Sequence, residues 1–183
     1  EWDAFNRLTR ARANGSGNSV IVTYLYDAKG RRVRKVSSQN EDYSYLEWQV
    51  LQVSESGLAT PIIQFVHGLY VTEPILMNVN NNSAMDSSCI GNDDNLYFYA
   101  NNSTYSVYAL LDQNGEIVEA YSYDPYGNPR IIISRGGDNI WFSGDDVIES
   151  QSLIIQNPYG FGSHWQDYET NLVYFGYRYY QAL

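Results

Sequence analysis

The sequence predicts an all-β, mostly antiparallel fold, on three observations. Tyrosines recur with a period of two, at Tyr24/Tyr26, Tyr43/Tyr45, Tyr97/Tyr99, Tyr121/Tyr123 and Tyr177/Tyr179. Residues two apart on a strand share a face, so each pair lays an aromatic stripe along one side of a sheet. A turn also recurs: an aromatic residue, Asp, then Gly or Asn three positions after the Asp. It occurs as Trp2-Asp3 with Asn6, Tyr26-Asp27 with Gly30 and Tyr123-Asp124 with Gly127, and more weakly as Leu111-Asp112 with Gly115. The Asp can accept hydrogen bonds from the amides ahead of it, and Gly or Asn tolerates the positive φ that closes the turn. Finally, no window carries apolar residues at a 3.6 period between helix caps.

In chain order, strands are predicted over residues 20–26, 31–38, 42–48, 50–54, 61–66, 69–76, 95–99, 105–111, 116–123, 130–134, 139–142, 152–156 and 172–179. Each is a short run rich in β-branched, aliphatic or aromatic residues. Turn signals separate them, at Asn14-Gly15, Ala28-Lys29-Gly30, Ser56-Gly57, Asn114-Gly115, Tyr126-Gly127, Gly136-Gly137 and Pro158-Tyr159-Gly160. Aliphatic residues follow the four Asp turns: Leu8, Val33, Ile117 and Ile131. Residues 1–183 read as a single β-domain. Two polar, Asn-, Ser-, Asp- or Gly-rich stretches, 78–95 and 134–150, read as loop insertions.

Composition narrows the class. A chain of 183 residues that is 44% hydrophobic and 15% aromatic has enough apolar surface for a core. Eighteen tyrosines suit a sheet that packs the ring and satisfies the hydroxyl. No apolar run approaches the roughly 20 residues of a membrane helix. The chain opens inside a repeat and has no signal peptide, so it reads as a fragment of a longer precursor. Residues 1–35 hold eight basic and three acidic residues, a net +5; the remainder nets −15, within a total of −10. With no nucleic-acid motif present, this asymmetry predicts N-terminal strands lying against an acidic surface in this chain or the next, and excludes nucleic acid as a partner.

No residue is predicted as catalytic, cofactor-binding or metal-ligating, and the chain is therefore read as not an enzyme. Cys89 is alone and reads as a loop residue. His67 and His164 lack metal-spaced partners. Asp93-Asp94 and Asp145-Asp146 lack the alternating ligands of a calcium loop and read as solvated loops. Asp27 and Asp124 read as turn caps. No nucleophile elbow, phosphate loop or zinc set is present. Asn14, Asn81, Asn101 and Asn102 head glycosylation sequons.

The ordered set of motifs resembles the Rhs family, which includes the shell subunits of Tc insecticidal toxins and the teneurins. Trp2–Leu8 and Tyr24–Arg34 resemble two consecutive YD repeats. Asp112–Asn128 resembles the segment ahead of the Rhs-associated core. Asn157–Tyr180 resembles the core signature, with Glu169-Thr170-Asn171-Leu172 and Tyr177-Arg178-Tyr179-Tyr180 in order. The resemblance implies an antiparallel YD-repeat β-ribbon of hairpins, a fragment of a β-shell or β-filament. Two departures stand out. Gln181-Ala182-Leu183 replaces the Asp-Pro that follows the core's Arg-Tyr-Tyr, ahead of the family's self-cleavage motif. Ala100–Ser106 has lost the His, Asp and Gly of the family pattern.

The resulting functional expectation is a non-catalytic, tyrosine-rich structural β-scaffold: part of an Rhs/YD-repeat shell, or a self-assembling extracellular filament or surface structure. Its expected partners are other copies of itself or the rest of its precursor, joined head to tail. Leu153-Ile154-Ile155 and Ile131-Ile132-Ile133 are candidates for burial there or in the core. The alternative is a module binding cell-surface carbohydrate through Trp48, Trp141 or Trp165. The second alternative is the remnant of a self-cleaving toxin-carrier core. All place the chain outside the cell or at its surface.

Overall fold

Twelve strands pair strictly in chain order, each antiparallel to the next. The structure is a computed structural model that describes residues 1–15, 17–58, 60–70, 72–81, 94–149 and 157–182. The strands are β1 (Arg10–Arg12), β2 (Val20–Tyr26), β3 (Arg32–Val36), β4 (Glu41–Leu46), β5 (Gln49–Glu55), β6 (Pro61–His67), β7 (Pro74–Val79), β8 (Asn95–Asn101), β9 (Val107–Leu111), β10 (Ile117–Tyr123), β11 (Pro129–Ser134) and β12 (Val147–Glu149). A second sheet holds β13 (Trp165–Asp167), β14 (Leu172–Tyr174) and β15 (Tyr179–Tyr180). The fold is all-β, and its only helical turn among the described residues is the 3-10 turn Phe161–Ser163. No described helix is long and apolar enough to cross a membrane.

The period of two sets the core. Tyr43, Val53, Phe65, Met77, Leu110, Tyr121 and Ile131 meet on one face of the large sheet, and Tyr159, Trp165 and Tyr174 of the C-terminal segment pack onto them. Partly buried tyrosines packed against this core bond their hydroxyls to backbone carbonyls of the chain. Tyr26 donates to Leu8 O at 2.6 Å, Tyr45 to Arg32 O at 2.8 Å and Tyr123 to Val107 O at 2.9 Å. Fully buried Asn157 accepts from Tyr99 at 2.7 Å and donates to Tyr121 at 2.9 Å. Buried hydroxyls that find partners in this way carry little desolvation cost.

Several expected strands fall elsewhere. Residues 139–142 are loop, because Asn139 and Phe142 adopt positive φ and the Phe142 ring stacks on Tyr108 at 4.6 Å. Of the stretch expected at 69–76, only the part from Pro74 is strand. The single strand expected at 172–179 is β14 and β15, reversed at Gly176 with φ +82°. β1, β12 and β13 are three-residue strands without a sequence expectation, and β12 lies inside the stretch 134–150. The strand expected at 152–156, the run Leu153-Ile154-Ile155, Cys89 and Asp93 lie outside the described residues.

Candidate functional site

The four Asp turns share one geometry. Oδ1 of Asp3, Asp27, Asp112 and Asp124 accepts two amides each, from the residues two and four positions on, at 2.8–3.0 Å. The first two turns add an ion pair, Arg7 with Asp3 and Arg31 with Asp27, both at 2.7 Å. All four carboxyls lie below the usual aspartate range. The Arg7 side chain is the largest cause for Asp3, the Glu116 amide for Asp112 and the Asn128 side chain for Asp124; for Asp27, burial opposes the shift and Arg31 outweighs it. Gly127 also illustrates why glycine sits here: its φ is +89°, and a Cβ would stand 2.8 Å from the Phe161 ring.

A fifth turn of the same kind lies at Asn102. Its Oδ1 accepts the amides of Thr104 at 2.9 Å and Ser106 at 3.0 Å, and Tyr105 takes the positive φ of 60°. The segment read as having lost the family's Asp and Gly therefore keeps the turn, with Asn and Tyr in their places. The spacing was visible in the sequence.

The C-terminal sheet is fastened to the ribbon by one buried ion pair and one partly exposed pair that the sequence did not mark. Arg32 on β3 and Asp167 on β13 are almost wholly buried, with Nη1 to Oδ2 at 2.5 Å. Tyr24 also donates to Oδ2, at 3.2 Å. The guanidinium lies over four rings, Tyr24, Tyr43, Trp165 and Tyr174, at 4.7–5.7 Å from their centroids. Burial pushes the Asp167 carboxyl up, and Arg32 pulls it back. Lys35 joins the same surfaces, its Nζ 3.0 Å from Glu41 and 2.7 Å from Glu169. The N-terminal basic residues thus meet acids of this chain: Arg10 and Arg12 pair with Glu1, and Arg34 with Asp42. A basic end offered to a neighbouring copy is not what the residues form.

A cavity of about 380 Å³ opens between the ribbon and this segment, lined mainly by Tyr45, Trp48, Trp165, Phe175 and Tyr177. His164 stands at its wall against Phe175, and burial pushes its imidazole down to about 4. His67 bonds Val50 O through Nε2 at 2.8 Å. Asp145 accepts the Gly137 amide at 2.6 Å and the Ser143 hydroxyl at 2.6 Å, which fixes its loop. Asp94 is buried beside Asn78, and Asp146 is buried in the loop after Asp145. Trp165 belongs to the core, while Trp48 and Trp141 are half-buried. Among the described residues no group of three or more His, Cys, Asp or Glu could hold a metal ion.

Over 189 residues the chain is 26% identical to the tRNA3(Ser)-specific nuclease WapA of Bacillus spizizenii, matching 98% of this chain and 6% of that protein. It is 25% identical to the tRNA nuclease WapA of Bacillus subtilis, with the same coverage. It is also 26% identical over 191 residues to Toxin subunit YenC1 of Yersinia entomophaga, matching 98% of this chain and 18% of that one. The chain therefore spans a small part of the curated relatives it matches. Among solved structures, TcdB2-TccC3 matches the whole chain with a TM-score of 0.63 at 19% identity, over 8% of that chain. TcdB2-TccC3 without its hypervariable C-terminal region gives a TM-score of 0.54 at 20% identity. At these identities the likeness shows the fold. No family model matches the chain.

These matches correct the functional expectation. The relatives are named as nucleases and a toxin subunit, and they align with almost all of this chain. The reading as a non-catalytic structural scaffold, filament or self-assembling surface structure is overturned by that alignment, and with it the reading as not an enzyme. The exclusion of nucleic acid is weakened, since the WapA relatives, of which this chain matches 6%, are named for tRNA.

Proposed function

We propose that this chain is a segment of the carrier core of an Rhs-type protein toxin, in a longer polypeptide whose effector is an enzyme, a nuclease in the WapA-like case. One observation carries this reading. The same residues align with tRNA nucleases and with a toxin subunit bearing no nuclease name. What such proteins have in common is not one effector chemistry, so the shared segment belongs to the carrier. In this reading residues 1–183 act as one YD-repeat unit into which 78–95 and 134–150 are inserted. Its partner is the rest of its own precursor, and the toxin acts after secretion or delivery at a cell surface. The Arg32–Asp167 pair supports the carrier role by fastening the C-terminal sheet across the ribbon.

The test separates delivery from chemistry. Asp167→Asn is introduced into the parent polypeptide. Killing of target cells is measured beside effector chemistry, tRNA cleavage in the WapA-like case, by the liberated effector. The expected result is lost killing with retained chemistry. Loss of chemistry in a variant that still folds would place this segment in the effector.

A further inference from the structure

Two cavities share the ring of Tyr177. The first is the aromatic cavity of about 380 Å³, with Trp48, Trp165 and Arg32 among its walls. The second, of about 660 Å³, opens beside the turns at Asp3 and Asp27, with Arg7, Asp27, Lys29 and Arg178 in its lining. The Tyr177 ring lies 4.6 Å from that of Trp48, and its edge stands 3.7 Å from where a Cβ on Gly30 would be.

The two halves differ in chemistry. In the aromatic half, Arg32 has its charge balanced by Asp167, yet its buried Nε has no hydrogen-bond partner. Arg32 is part of the cavity wall, and its Nε is a buried donor without a protein acceptor. In the second half, Asp27 is held by Arg31 and Arg7 by Asp3, each at 2.7 Å. Lys29 reaches Glu47 only at 3.9 Å, with both side chains mostly in water. Arg178 is exposed and has no ion pair among the described residues. Two weakly compensated cations thus line the cavity that adjoins the aromatic one at Tyr177, on a chain of net charge −10.

We propose that the two cavities form one site for a nucleoside monophosphate unit, free or at the end of a single-stranded RNA. The base lies among Trp48, Tyr177 and Trp165, and the phosphate lies at Lys29 and Arg178. Aromatic faces stack on any base, and adjacent cations take the phosphate. A neutral sugar would leave the cations unused, and an aliphatic anion would leave the rings unused. The first cavity has the size of ordinary small-molecule sites, which start at about 300 Å³. The site is independent of the carrier reading and stands or falls without it.

The test is equilibrium binding of AMP, adenosine and ribose 5-phosphate to the full chain, with 4-thiouridine 5′-monophosphate as a photo-crosslinker mapped by mass spectrometry. AMP is expected to bind about tenfold or more tightly than either fragment. The exposed substitution Arg178→Ala, which leaves the core intact, is expected to weaken AMP about tenfold and leave adenosine unchanged. Trp48→Ala is expected to weaken AMP and adenosine alike, by about tenfold. Crosslinks are expected on the peptides holding Trp48 or Tyr177. A 5′-phosphorylated hexaribonucleotide that matches AMP assigns the site to strand ends, whereas binding of AMP alone assigns it to free nucleotide; both support the proposal. Absence of AMP binding at millimolar concentration overturns it. So does equal binding of AMP and ribose 5-phosphate, or an AMP affinity untouched by Arg178→Ala.

Discussion

Asp167→Asn is nearly isosteric but removes the counterion of a buried cation. Asp167 Oδ2 receives Arg32 Nη1 at 2.5 Å and the Tyr24 hydroxyl at 3.2 Å, and neither charged side chain is more than 1% exposed. Breaking such a pair from one side costs about 3–5 kcal/mol, because the remaining charge stays buried. Here the four rings around the guanidinium offset part of that cost, each by a fraction of the interaction of a cation with a ring face. The low end, about 3 kcal/mol, is therefore expected. For a chain of this length that corresponds to a fall in Tm of about 6–12 °C. Thermal unfolding gives the total, and amide exchange locates it: protection should drop first in β13 to β15. The double variant Arg32→Met/Asp167→Leu, which removes both charges, should recover most of the loss. A cost under about 1 kcal/mol for Asp167→Asn, or loss spread evenly over β1 to β12, would refute the fastening argument.

Further predictions follow from the turns and the cavity wall. Asp27→Ala should cost about 1 kcal/mol, the net worth of a local side chain-to-backbone bond. Asn102→Ala should cost a similar amount while Asn102→Asp is tolerated, both read by urea midpoints. The depressed carboxyls of Asp3, Asp112 and Asp124 contribute stability that is fully present above the unfolded aspartate value of about 3.9. That stability is lost as pH falls through their lower folded values, so Tm should decline steeply below about pH 4. His164, pushed down to about 4 by burial, favours its neutral form in the fold. Its contribution is present above the unfolded value of about 6.5 and lost as pH falls toward 4. With its ring half-buried this amounts to about 1–2 kcal/mol after discounting for solvent. His164→Phe should flatten Tm between pH 6.5 and 4, and an unchanged slope would count against the assignment.

Sequence and structure agree where the determinants are local. A period of two and an Asp turn need only neighbouring residues, and β2, β5, β6, β10 and β11 lie close to their expected places. The failures are non-local or conformational. Arg32 and Asp167 are 135 residues apart, so no spacing rule joins them. β13 has three residues and exists because Trp165 enters a core built by the other sheet. Ile140-Trp141-Phe142 has strand composition, but positive φ at Asn139 and Phe142 turns it into a loop. Asn102 and Tyr105 kept the spacing of an Asp turn with other residues, which hides it from a composition rule. The aromatic cavity was not legible either, because it is assembled from β3, β4, β5, Trp48, Thr72 and residues 159–177.

The central claim is that this segment belongs to the carrier and not to the effector. The most direct measurement is effector chemistry, tRNA cleavage in the WapA-like case, by purified fragments of the parent polypeptide with and without residues 1–183. The carrier reading predicts full cleavage by a folded fragment that lacks them, and none by residues 1–183 alone. Cleavage that requires residues 1–183, or that they perform by themselves, would contradict it.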